Sequence, residues 1–138
     1  MASSRNRLAN TKNPYQGDFK KALCVCSAGL LRSPSIAHIL SNPPYNYNVR
    51  AAGVEAEYAL VPVDDALLLW ADVIVCAEDW HKRTVIKMLK DNNYVDPTGE
   101  VIKEVIALNI PDNYETRSPK LLEIIQTKLE EINFEKSI

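Results

Sequence analysis

"KALCVCSAGLLRSPSIAHIL", residues 21–40, joins three kinds of sequence in one stretch. Ala22-Leu23-Cys24-Val25-Cys26 is a short unbroken apolar run, the pattern of a strand buried on both faces. Ser27, Ala28 and Gly29 are small, and Gly29 can take a positive φ without strain. After Ser33-Pro34-Ser35 the apolar residues Ile36, Ala37, Ile39 and Leu40 recur at helical spacing. Pro34 suits a first helical turn, where the N–H it lacks would have no partner anyway. The stretch therefore reads as strand, tight loop and helix, and it points to an α/β fold.

The same alternation continues outward. Asn42-Pro43-Pro44 stops the helix. Tyr47 to Ala52 reads as a second strand, ended by Gly53. Asp64 is placed to cap a helix running through Trp70. Residues 72–77 read as a third buried strand, followed by a polar helix from about Trp80 to Lys90. Asp96-Pro97-Thr98-Gly99 reads as a turn, and Val105 to Ile110 as a fourth strand. Ser118 caps and Pro119 opens a last helix, with Leu121, Leu122, Ile124, Ile125, Leu129 and Ile132 as its apolar stripe. Strands alternating with helices imply a parallel sheet covered on both sides. Residues 1–17 are polar and aperiodic and read as a flexible tail; residues 18–138 read as a single domain.

Composition narrows the function. The chain has 138 residues, enough to bury a core without disulfides or metal. Its net charge of −2 gives no reason to expect nucleic acid or an anionic membrane as partner. No apolar run approaches the roughly 18 residues a membrane span needs. The three cysteines are not spaced as a disulfide framework, and the polar N-terminus shows no secretory pattern. The expected compartment is a reducing cytoplasm. Cys24 and Cys76 sit in apolar strands and read as small core residues. No Cys/His set completes a tetrahedral site, so no metal and no cofactor is expected.

Cys26 stands apart by its context. It ends the first strand, and sites in parallel α/β sheets form at the carboxyl ends of strands. A loop of successive backbone N–H groups running into a helix N-terminus makes a nest for an anion. Arg32 adds a planar fork of donors suited to two phosphate oxygens. Helix N-termini and basic neighbours favour thiolates in general, which are the nucleophilic form of cysteine. Ser33 is close enough along the chain to hydrogen-bond the sulfur. These are the parts of a thiolate that attacks phosphorus while the loop and Arg32 hold the equatorial oxygens.

Cys26-Ser27-Ala28-Gly29-Leu30-Leu31-Arg32-Ser33-Pro34 resembles the phosphate loop of the low-molecular-weight protein tyrosine phosphatases, whose pattern is Cys-x5-Arg-Ser-Pro near the N-terminus. "VRAAGV" at 49–54, "ADVIVCAEDWHKR" at 71–83 and "LNIPDNYE" at 108–115 resemble that family's second strand, third strand and acid loop, in family order. The similarity is greatest to a bacterial and phage branch with an Ile-Pro-Asp-x-Tyr acid loop. The resemblance implies a doubly wound, four-stranded parallel sheet and a cysteinyl-phosphate intermediate formed without metal. It implies Cys26 as nucleophile, Arg32 as phosphate ligand and Asp112 as general acid. Ser27, Ala28, Gly29, Leu30, Leu31, Arg32 and Ser33 would form the phosphate cradle, and Tyr114 and Trp80 would contact substrate. The partner would be a phosphorylated protein or a small phosphate monoester; the oligomeric state is left open.

Several positions depart from the family pattern. Gly29 stands where the family has a buttressing Asn, and Ala51 where its second strand has Ser, so a looser loop is expected. Leu31 replaces the second loop cysteine, and Asp-Asn-Tyr replaces Asp-Pro-Tyr. Arsenate reductases share the loop but need a downstream cysteine pair, and here only Cys76 lies downstream. A degenerate, non-catalytic phospho-ligand or protein binder and a small-molecule or nucleotide phosphatase are the other readings. Of the residues near the acid motifs, His81 reads as part of a solvated helix start.

Overall fold

The computed structural model describes residues 20–28, 32–55, 57, 59, 61–111 and 118–136. Among them run β1 (Lys21–Cys26), α1 (Arg32–Leu40), β2 (Asn48–Gly53), α2 (Asp65–Trp70), β3 (Val73–Cys76), α3 (Asp79–Asp91), β4 (Glu104–Ala107) and α4 (Pro119–Glu131). The strands form one sheet in the order β2-β1-β3-β4, with every pairing parallel. This is the doubly wound sheet the sequence implies.

Strand alternation divides the core in two. Ala22, Cys24 and Cys26 face one side and pack with Ile36 and Leu40 of α1 and Leu121, Ile125 and Leu129 of α4. Leu23 and Val25 face the other, against Leu67 and Leu68 of α2 and Val85 and Leu89 of α3. β1 is buried on both faces, which is why it carries no alternating polar residues.

The caps read from sequence are present. Asp64 accepts from Leu67 N at 3.0 Å and Ser118 from Leu121 N at 3.2 Å. Asp96 accepts from both Thr98 N and Thr98 Oγ1, closing the expected turn. Two expectations are corrected. The fourth strand pairs only over Glu104–Ala107, because Asn109 turns the chain at φ 59°. Ile132 does not join the α4 stripe; it caps the helix and is 45% exposed.

All non-glycine positive-φ residues among the described positions are asparagines: Asn46, Asn93, Asn109 and Asn133. Two of them end helices. After Asn93, Tyr94 N returns to Leu89 O at 2.9 Å, and after Asn133, Phe134 N returns to Leu129 O at 3.0 Å. Both closures are of Schellman type, with Asn where Gly is usual.

Candidate active site

Cys26 closes β1 opposite Gly53 of β2 and is 3% exposed. Its Sγ shares a 3.2 Å hydrogen bond with Ser33 Oγ. Ser33, in the first turn of α1, also donates to the Ala52 carbonyl at 3.5 Å. With a neutral thiol, Sγ–H donates to Ser33; with a thiolate, the hydroxyl would turn from Ala52 and donate to sulfur. The other two cysteines are buried and free. Burial raises the Cys24 thiol well above its ordinary value and pushes that of Cys76 up to about 12. Neither ionises readily, so neither competes as a nucleophile.

The loop after Cys26 lies directly on β2. Val54 N donates to Cys26 O at 3.0 Å and Glu55 N to Ser27 O at 2.9 Å. Gly53 makes this approach possible. A Cβ there would stand 2.5 Å from the Ala28 carbonyl carbon and 2.7 Å from Ser27 O. Both are backbone atoms, so no side-chain rotation could relieve the clash.

Arg32 begins α1 and is 2% exposed. A guanidinium so buried needs partners. Its Nη1 donates to the Ile110 carbonyl at 2.9 Å and to the Glu78 carboxylate, and Nη2 lies 3.5 Å from Ser27 Oγ. Three chain segments therefore meet on one side chain: the start of the loop, the turn from β3 into α3, and the chain leaving β4.

His81 is fully buried, contrary to the solvated helix start expected of it. Its Nδ1 accepts from Glu78 N at 3.0 Å, and its Nε2 lies 3.0 Å from Ser27 Oγ. Its ring is tilted against that of Trp80, centroids 4.2 Å apart.

The structure thus brings Cys26, Ser27, Ala28, Arg32 and Ser33 to one edge of the sheet. Half-buried Trp80 lines an adjoining groove of about 350 Å³, together with Glu78, Asn109, Ile110 and Pro111. Gly29, Leu30, Leu31, Asp112 and Tyr114 lie outside the described residues; Pro111, the residue before Asp112, is on the groove wall. Sequence reading missed the parts played by Glu78 and His81. The one signal was position, since His81 is three residues past the N-cap Glu78, where a capping-box partner sits. Among the described residues, no group of three or more His, Cys, Asp or Glu could hold a metal ion. None of the described helices is long and apolar enough to cross a membrane.

No family model and no curated protein matches the sequence. Solved structures do match the fold. Wzb of Vibrio vulnificus, in complex with benzylphosphonate, aligns with TM-score 0.57 at 18% identity, over 81% of this chain and 93% of its own. A YwlE mutant from Bacillus subtilis aligns with TM-score 0.52 at 17% identity, over 83% and 99%. A low molecular weight protein tyrosine phosphatase from Bacillus subtilis, solved in solution, aligns with TM-score 0.51 at 18% identity, over 82% and 99%. The fold is therefore that of the low-molecular-weight protein tyrosine phosphatases, as the resemblance in the sequence implies.

Proposed function

We propose that the chain is a cysteine-dependent phosphatase that hydrolyses phosphate monoesters, with protein phosphotyrosine as its substrate class. The observation that carries this reading is the convergence on one sheet edge of Cys26, bonded to Ser33, and the buried Arg32, whose Nη2 reaches the residue after that cysteine. Nucleophile and anion ligand stand at the two ends of one short loop. The benzylphosphonate held by the Wzb structure resembles a phosphate monoester of an aromatic alcohol, and it supports the same substrate class.

In the proposed reaction the Cys26 thiolate attacks phosphorus. The bond from phosphorus to the leaving oxygen breaks as Asp112 gives that oxygen its proton. Water then attacks phosphorus, the P–S bond breaks, Cys26 leaves as thiolate, and Asp112 takes the proton from water. Arg32 and the loop N–H groups, from Ser27 onward, carry the charge on the equatorial oxygens in both steps. Trp80 and Tyr114 would flank the leaving group, and the cytoplasm is the compartment that suits three free thiols.

Turnover of p-nitrophenyl phosphate, phosphopeptides and nucleotides tests the reading. Cys26→Ser should abolish hydrolysis yet keep vanadate binding, and Arg32→Ala should lose both. Asp112→Asn should slow phenyl phosphate by roughly 10²–10⁴-fold and p-nitrophenyl phosphate less, because its leaving group needs little protonation. Substantial turnover by Cys26→Ser would overturn the covalent mechanism. An equal loss on all substrates in Asp112→Asn would make Asp112 a turn residue and leave Glu78 or Asp79 as the next candidates for the acid.

A further inference from the structure

We propose that His81 is the positioning residue of the phosphate loop, holding Ser27 in place of the buttresses that Gly29 and Ala51 cannot supply. The inference rests on the phosphatase reading for its consequence in turnover, but not for its consequence in anion binding.

The hydrogen bonds fix the tautomer. His81 Nδ1 accepts from the Glu78 N–H, so in the neutral ring the proton is on Nε2. Nε2–H then donates to Ser27 Oγ, 3.0 Å away. The ring cannot turn freely, since it is fully buried and packed against Trp80. Ser27 Oγ has two lone pairs. One takes His81, and the other faces Arg32 Nη2 at 3.5 Å. The hydroxyl proton of Ser27 is thereby left to donate elsewhere.

The contacts also close a circuit. Ser27 meets His81, His81 meets the Glu78 backbone, the Glu78 carboxylate meets Arg32, and Arg32 returns to Ser27. Ser27 and Arg32 are the two ends of the loop. A circuit joining them through the first turn of α3 sets the separation of those ends without any side chain at position 29. The buttress has moved from within the loop to a helix outside it.

A double-mutant cycle tests this. His81→Phe keeps the ring volume against Trp80 and removes both nitrogens. Ser27→Ala removes the acceptor from a half-buried site with little risk to folding. Each should lower kcat/KM for p-nitrophenyl phosphate and weaken inorganic phosphate binding by about tenfold, the scale of one hydrogen bond. The double variant should be no worse than either single one. His81→Gln, which can offer an amide N–H near the place of Nε2, should recover most of the loss. Multiplying effects, or a Ser27→Ala protein unchanged in both measurements, would overturn the brace even if the wild type hydrolyses well. A wild type that binds phosphate with the non-additive pattern but turns nothing over would leave the brace standing and remove the phosphatase reading. A wild type that neither binds phosphate nor turns substrate over would remove both.

Discussion

The two ends of the parallel sheet resemble each other more than their chemistry suggests. Each has a hollow, about 340 Å³ at the amino end and about 350 Å³ beside the carboxyl end. Each has an ion pair: Lys20 with Glu135, and Arg32 with Glu78. Volume and charge count therefore do not tell them apart. Burial does. The side chains of Lys20 and Glu135 are 53% and 63% exposed, whereas that of Arg32 is 2% exposed. An exposed pair gains little over its separate hydrated ions. The buried guanidinium is held by fixed partners, the Glu78 carboxylate and the Ile110 carbonyl. At the amino end, the buried Tyr47 donates its hydroxyl to the main-chain carbonyl of Glu135 at 2.9 Å.

The sharpest way to break this contrast is at Gly53. Gly53→Val places side-chain atoms into the Ser27–Ala28 backbone. The loop must lift from β2, so turnover should fall by roughly 5- to 140-fold, the 1–3 kcal/mol typical of overpacking converted at tenfold per 1.4 kcal/mol. The same strain should lower stability, by about 1–3 kcal/mol in denaturant unfolding. A variant with normal turnover would mean that the loop does not depend on its contact with β2.

A smaller effect is expected at Tyr47. Its burial, helped by the nearby charge of Glu135, raises its hydroxyl from 10.0 to about 12. The fold favours the neutral phenol, so its contribution is complete below pH 10 and is lost as pH rises towards about 12. Tyr47→Phe removes the 2.9 Å bond to the Glu135 carbonyl and should cost about 0.5–1.5 kcal/mol at neutral pH. It should also flatten the alkaline loss of stability in that window, read by urea midpoints at several pH values, and leave turnover unchanged. The smallest effect belongs to Lys20→Ala. It should leave both the melting temperature and turnover nearly as they are, and a clear fall in either would show that the amino end does more than its exposure suggests.

These contrasts also show which features a linear reading could reach. Burial of β1 on both faces, the caps at Asp64 and Ser118, and the hydrogen bond between Cys26 and Ser33 are local in sequence, and all were legible. The contacts that complete the site are not local. Ser27 and His81 are 54 residues apart, and Arg32 and Glu78 are 46 apart. A histidine in "EDWHKR" looks solvated until the fold lays the Cys26 loop against it. The apolar run 105–110 looks like one strand because nothing in its hydropathy marks the left-handed turn at Asn109. That turn accompanies the placement of the Ile110 carbonyl on Arg32, so the misread residue lies next to a contact of the candidate site.

The asparagines in left-handed turns carry a consequence for chemical ageing. Deamidation begins when the backbone nitrogen of the next residue attacks the asparagine side-chain amide. In all four turns that nitrogen is already committed: Tyr47 N to Leu40 O, Tyr94 N to Leu89 O, Ile110 N to Ala77 O and Phe134 N to Leu129 O, at 2.7–3.0 Å. Each following side chain is also bulky, where a glycine would leave the nitrogen open to attack. A chain with only four glycines thus uses asparagine for its sharp reversals, and the bonds that shape those reversals must open before cyclisation can start. The same hydrogen bonds that end the helices protect the residues that end them.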